Sequence, residues 1–483
     1  MSGRPISRRR AMGLTAVGAA GVAGGTAGWL WSAGSPEGGF RPAGSGASLR
    51  DPEVVSSRGG RLRVDLTAAA GAALAGRDTA ALGYNGTSPG PTLRVRPGDE
   101  LSVRLTNRLD QPTNLHTHGL RVSPQANGDN PFLRIEPGTS LDYLFRIPAD
   151  HPAGTFWYHP HHHGMVADQI FGGLAGTLLV DRGPDLPVDR DRVLMVTDTT
   201  MNAGGSVAAP GRMDRMMGRQ GELVLVNGQH QPSISAAPGV AQRWRIINGC
   251  ASRMLALRLA GHELDLVALD GTFLPAPASR ERVVLAPGNR ADMVVRPTAA
   301  GRFELMSEGV DQGGMGGMGG GGVRSEPVLL ATLLVDGSAA PEAPLPAELP
   351  AQVPDTTAVA ARRRIAFTMG MGMAGMSFGI DGRAFDPQRD DQSVRFGTTE
   401  EWTVTNSTPM AHPFHLHVWP FVVLATSDGA PLSGTPQDVV LVPPRGWVRL
   451  RIPFTAHNGR SVFHCHILDH EDAGMMATVH VRR

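Results

Sequence analysis

The chain has no lysine: all 45 of its basic residues are arginine, set against 44 acidic ones. The near balance leaves a formal net charge of +1, so no basic field exists to draw in nucleic acid. The missing lysine fits GC-rich codon usage and carries no functional conclusion. Cysteine is almost as scarce, with Cys250 and Cys465 the only two. If Cys465 is given over to a metal, no intramolecular disulfide is left, and Cys250 reads as a buried structural thiol. Long helical periodicities are also lacking. With 62 Gly and 38 Pro, the chain reads instead as short strands and turns. Beyond Trp31 no stretch is apolar enough to span a bilayer.

The N-terminus stands apart from that strand-and-turn pattern. Ser7-Arg8-Arg9-Arg10-Ala11-Met12 precedes an Ala/Gly/Val run that ends at Trp29-Leu30-Trp31. A charged n-region with paired arginines and a weakly apolar h-region reads as a twin-arginine export signal. An uncleaved membrane anchor is the alternative. Either predicts a protein of the periplasm, the cell envelope or the medium, with Ser32 to Pro52 as linker.

What the chain does hold is histidine in a particular spacing. Four His-x-His pairs occur, His116/His118, His159/His161, His415/His417 and His464/His466, with His412 and His470 beside them. On a strand, successive side chains alternate faces. His464 and His466 then point one way and Cys465 the other, so one run can serve two metal sites. A thiolate with an imidazole five residues on (His470) and a thioether ten residues on (Met475) has the makings of a blue-copper centre. Zinc is the usual reading of Cys with clustered His, but a structural zinc closes at four ligands. Ten imidazoles and a thiolate are too many for one such ion.

A threefold repeat organises the rest. Each copy opens on a turn, Asn85-Gly86, Asn227-Gly228 or Asp381-Gly382, and an alternating strand then ends at Asn107, Asn248 or Asn406. Nine residues after the Asn come His116, Leu257 and His415; five after Gly154, Gly301 and Gly459 come His159, Met306 and His464. The first and third copies thus carry imidazoles at matching places, and the middle copy carries none. Pro160 stands where Cys465 stands, so only the third copy offers a thiolate. The pattern predicts domains at 46–185, 186–345 and 346–483 after a leader and linker at 1–45, each near an ordinary domain size.

The motifs His116-Thr117-His118-Gly119, Trp157-Tyr158-His159-Pro160-His161, His412-Pro413-Phe414-His415-Leu416-His417 and His464-Cys465-His466 through Met475 resemble the four signatures of the three-domain multicopper oxidases. The resemblance runs from about residue 50 to the end. It implies an all-β chain of three consecutive cupredoxin-like Greek-key β-sandwiches and four copper ions. It also implies His412, Cys465, His470 and axial Met475 on the type 1 copper, and His116 and His415 on the type 2. His118, His159 and His466 would take one type 3 copper; His161, His417 and His464 would take the other. The three-ion cluster is then expected between the first and third domains, with the middle one as spacer. One-electron donors would feed the type 1 ion, and O2 would leave the cluster as two waters. Glu471 resembles the acid that relays protons in copper-efflux oxidases, and Asp129 is a second candidate.

Of the 20 methionines, Met369, Met371, Met373 and Met376 lie where those oxidases carry a longer Met-rich insert. Met410, two residues before His412, resembles a substrate-copper ligand there. Soft thioethers suit Cu(I). Met213, Met216, Met217, Met315 and Met318 cluster elsewhere. The expected activity is oxidation of Cu(I), docked on the short methionine segment in copper tolerance, and also of phenols; the alternative is a flexible loop beside an open, laccase-like pocket for phenols alone. A copper-sequestering protein and a metal-free envelope relative are the non-enzymatic alternatives; the full ligand set speaks against the second.

Overall fold

The same tight turn is built three times. Asn85, Asn227 and Asp381 take positive φ of 54°, 50° and 54°, and the glycine after each is also at positive φ. Two left-handed residues in a row give a hairpin turn whose twist suits the flanking strands. Each Asn or Asp side chain accepts a backbone N–H from the strand one earlier than the one that leads into the turn, at Thr67, Met195 and Ala366. The asparagines that end the next strand match as closely. Asn107 and Asn248 each donate Nδ2 to two backbone carbonyls and Asn406 to three, and all three accept the N–H two residues on. The computed structural model describes residues 39–483 except 182, 315–323, 342, 353–357, 373–374 and 431, with backbone alone at 324, 371, 372 and 375. The leader with its arginines therefore lies outside the described residues.

Each repeat closes into a two-sheet sandwich around its own apolar cluster. In the first, one sheet runs Arg77–Tyr84, Arg61–Leu74, Glu100–Asn107, Ser140–Arg146. The other runs Val54–Ser56, Gly90–Val95, Gly176–Val180, Gly154–His159, His116–His118. In the third, the sheet Gly375–Ile380, Val359–Gly372, Thr398–Asn406, Trp447–Phe454, Val422–Thr426 faces Gln392–Arg395, Met476–Arg482, Gly459–Cys465, His412–Leu416, Val439–Val442. The order is non-sequential, and parallel pairs such as Arg61–Leu74 with Glu100–Asn107 sit among antiparallel ones. The architecture is three consecutive cupredoxin-like β-sandwiches. Histidine strands pair in equal register in the outer two: His116 faces His159, and His415 faces His464.

Two expectations are corrected. In the middle sandwich Leu257 faces Ser307 and Arg258 faces Met306, one residue out of step with the outer copies. A bulge between Leu305 and Met306 takes up the extra residue. The expected linker is not free either. Ser48 pairs in parallel with Ser233, and Leu49 and Gly46 donate to the carbonyls of Ser233 and Gln231, so this segment straps onto the middle sandwich.

Short helices at the junction lock the outer domains together. The Asp472 carboxylate, at the end of helix Leu468–Asp472, accepts N–H groups of Gly164 and Ala167 at the start of helix Val166–Gly172. Arg219 of the middle sandwich binds Asp168 on the first helix and Asp469 on the second. Leu257 and Leu259 are fully buried in the middle core. Leu257→Ala is expected to cost about 2–5 kcal/mol in urea unfolding, with metal stoichiometry unchanged; loss of metal from a folded variant would contradict the repeat alignment.

Candidate metal centre

Strand alternation does what the spacing predicts. Cys465, at the end of its strand, turns away from His464 and His466 and meets His412 and His470: its Sγ lies 3.3 Å from His412 Nδ1 and 4.0 Å from His470 Nδ1. All three are completely buried. Burial holds the Cys465 thiol protonated until a cation displaces the proton, while the Ile467 N–H points at the sulfur from 3.4 Å. Met475 is fully buried in the same core; its N–H donates to His470 O, and its carbonyl accepts from Cys465 N–H.

Across the strand, eight imidazoles from the first and third sandwiches meet in one space. Ligand atoms lie within 4.8 Å of one another in the groups His116/His415/His417, His118/His159/His466 and His161/His417/His464. His417 thus also reaches the group expected to hold only His116 and His415. The rings stack across the domain boundary in pairs, His116 on His417 at 3.8 Å and His118 on His415 at 3.9 Å. Burial and mutual repulsion push the imidazoles far below their ordinary pKa, to about 4 at His161 and His464. They are neutral at pH 7, as ligands must be.

For several of the rings, which nitrogen is presented is set by what the other nitrogen meets. His116 Nδ1 bonds Asp129 at 2.9 Å, His159 Nδ1 the Pro160 carbonyl at 2.8 Å, and His415 Nδ1 the Asp438 carbonyl at 2.7 Å. Their Nε2 atoms, with those of His118 and His466, are buried without any hydrogen-bond partner. Nε2 of His161 and of His417 each converge to 3.2 Å from His464 Nε2. Such a set of orphaned lone pairs suits metal ions and little else. Two carboxyls stand beside it. Asp129 accepts from Thr117 N–H as well as from His116, and burial raises it to about 7. Glu471 lies 3.1 Å from His464 Nδ1 and 3.4 Å from His161 Nε2, and burial raises it too to about 7.

Profile models described as multicopper oxidase match residues 67–185, 154–316 and 349–483. The chain is 30% identical over 451 residues to "Multicopper oxidase MmcO" of Mycobacterium tuberculosis, covering 83% of each. This chain belongs to the multicopper oxidase family. Its cofactor is copper, of types 1, 2 and 3, and it is a laccase-like oxidoreductase that uses O2 and a reducing substrate. It is also 30% identical over 429 residues to "Cell division protein FtsP" of Edwardsiella tarda, covering 84% of each. The solved multicopper oxidase of Campylobacter jejuni, described as a metallo-oxidase, superposes with a TM-score of 0.82 at 29% identity, over 93% of this chain and 97% of that one.

The two imidazoles beside Cys465 have their outer nitrogens hydrogen-bonded. His412 Nε2 is bonded to Thr408 Oγ1 at 2.8 Å, and His470 Nε2 to the Met216 carbonyl at 3.1 Å. The Phe378 ring stacks on His470 at 4.4 Å. Phe378 and the described part of the methionine segment lie on paired antiparallel strands, with Met371 opposite Met376. Met369 and Met376 are half-buried against the third core, and Met410 is wholly buried. Met373, Met315 and Met318 lie outside the described residues, as does the Met371 side chain. His162 and His163 do not join the cluster; they line a cavity of about 520 Å³ that reaches His161. Cys250 is buried in the middle core, unpaired.

Sequence reading missed Thr408, Asp438, Arg290 and the Met216 carbonyl, because no motif spacing marks a partner that folding alone brings to the ring, whether from the same domain (Thr408, Asp438) or from the middle one (Arg290, Met216). Cys465→Ser should abolish the intense blue charge-transfer absorption and leave the eight-imidazole cluster loaded, as read by visible spectrum and copper content. A serine variant that remains blue would refute this role for Cys465.

Proposed function

We propose that His412, Cys465, His470 and Met475 would hold the type 1 copper, and that the eight imidazoles would divide as the family resemblance implies. His116 and His415 would hold the type 2 ion, and His118/His159/His466 and His161/His417/His464 the type 3 pair. The convergence of orphaned ring nitrogens carries this reading. Bound there, copper supplies one-electron chemistry, drawing electrons singly from a donor and delivering four to O2, which leaves as two waters. The chain contributes the connection and the protons. His464-Cys465-His466 gives an unbroken covalent path between the clusters, on the order of 10 Å at about 3.3 Å per residue. Glu471 and Asp129, with pKa near 7, can both give and take protons at neutral pH. The cavity at His161 gives O2 a way in.

For the donor we infer Cu(I), oxidised outside the cytoplasm in copper tolerance after twin-arginine export. The type 1 imidazoles are buried and their outer nitrogens already bonded, which leaves a phenol no ring edge to touch. The covering elements carry thioethers instead: Met369 and Met376 on the paired strands, Met410 beneath them, and Met213, 61% exposed, on the helix over His470. No helix among the described residues is long and apolar enough to cross a membrane.

Oxygen uptake with Cu(I), Fe(II) and a phenol side by side tests the donor. Changing Met369, Met371, Met373, Met376 and Met410 to Leu should lower kcat/KM for Cu(I) at least about tenfold, or about 1.4 kcal/mol, and leave the phenol within about threefold. Equal losses would make the segment structural, and no loss for Cu(I) would favour a phenol oxidase. Glu471→Gln should slow O2 reduction by on the order of 10²-fold, while anaerobic reduction of the type 1 ion by donor continues at its normal rate.

A further inference from the structure

The middle sandwich holds none of the imidazoles, yet it closes one wall of their space. At Gly288, φ +88°, an added Cβ would sit 3.0 Å from Nε2 of both His118 and His466. Two residues on, at the start of strand Arg290–Val295, Arg290 is completely buried. Its guanidinium bonds across both domain boundaries. Nη1 and Nη2 donate to the two Asp438 oxygens at 2.6 Å each, Nε donates to the Thr155 carbonyl of the first sandwich at 3.2 Å, and Nη1 also reaches Gly288 O at 3.0 Å. Asp270 and Asn289 of the middle sandwich hold the neighbouring Val439 backbone. Glycine at 119, directly after His118, is demanded by this pair, since a Cβ there would overlap the guanidinium and the Asp438 carboxylate.

Asp438 touches two of the cluster's rings. Its main-chain oxygen accepts from His415 Nδ1 at 2.7 Å, and its carboxylate lies 3.4 Å from His118 Nδ1. Arg290 Nη1 is 3.3 Å from that same Nδ1. A guanidinium only donates, and His118 Nε2 must keep its lone pair to bind a metal. Once a metal takes Nε2, Nδ1 would carry the hydrogen and hand it to the Asp438 carboxylate 3.4 Å away, in exchange for the bond it now accepts from Arg290. We propose that Arg290 is a positioning residue for the three-copper cluster: by pinning Asp438 it fixes the tautomer and aim of His118 and His415 together. The middle domain is thus part of the site's supporting shell, beyond its role as spacer. Bidentate geometry matters here, because a fork holds a carboxylate in one plane and a lysine ammonium does not.

The proposal rests on the ligand assignment above and not on the donor. Copper-loaded Arg290→Met, Arg290→Lys and the neutral pair Arg290→Met/Asp438→Asn are compared by type 1 visible absorption, type 2 EPR hyperfine splitting and copper retained against a competing chelator. His118→Ala serves as control, and thermal melts of the metal-free forms report folding. We expect normal type 1 absorption per folded chain, altered type 2 splitting, and cluster copper held about 10–100-fold more weakly in Arg290→Met, with Arg290→Lys in between. The double variant should regain folding without regaining the type 2 signature. Unchanged splitting and copper retention in Arg290→Met would overturn the proposal. So would recovery of folding and type 2 signal together in the double variant, which would make the pair merely structural. If His118→Ala retains a full cluster, the ligand assignment itself fails, whatever the Arg290 variants do.

Discussion

Eight imidazoles share one dry space only if none carries a proton on a nitrogen that faces the others. Every other feature of the site follows from that constraint. Burial alone keeps the rings neutral, but a neutral imidazole still has two tautomers, and the wrong one would aim an N–H at the metal. The chain fixes the choice from behind several of the rings, and it does so economically. His159 and His464 each bond the carbonyl of the residue that follows, Pro160 and Cys465. The motif thus carries its own orienting acceptor at equivalent places in the first and third sandwiches. His116 and His415 take theirs from further along their own domains, at Asp129 and Asp438.

The cluster depends equally on three bodies holding together. Arg290 links the middle sandwich to Thr155 of the first and Asp438 of the third, and Arg219 does the same through Asp168 and Asp469. Both are buried arginines with paired carboxylates, the arrangement in which removing one partner is costly because a bare charge remains. Asp472 adds a helix-terminal contact between the outer two. These ties bracket the two metal groups, one near the imidazole cluster and one near His470.

How much of this was legible beforehand followed from the range of the physics involved. Period-two alternation is local, so His464, Cys465 and His466 could be sent to opposite faces from sequence alone. The Asn85, Asn227 and Asp381 turns were legible for the same reason, since positive φ and a following glycine are written in adjacent residues. The repeat spacing then brought His116 to His159 and His415 to His464. What was not legible depends on contacts between repeats. Nothing adjacent to Arg290 or Asp438 hints that they meet, and nothing in Arg212–Met217 says that its carbonyl caps His470. The one-residue register change in the middle copy was hidden because a bulge leaves no mark in an apolar strand.

The strap formed by Gly46–Arg50 has a mechanical consequence. It pairs beside Ser233 on the middle sandwich before the chain enters the first. Tension applied at the N-terminal end of the described chain would therefore load an edge strand of the domain that bears no copper ligand. The pull would shear that short parallel pairing first and reach the histidine strands only after it had given way. The histidine strands are in this way insulated from a pull at that end.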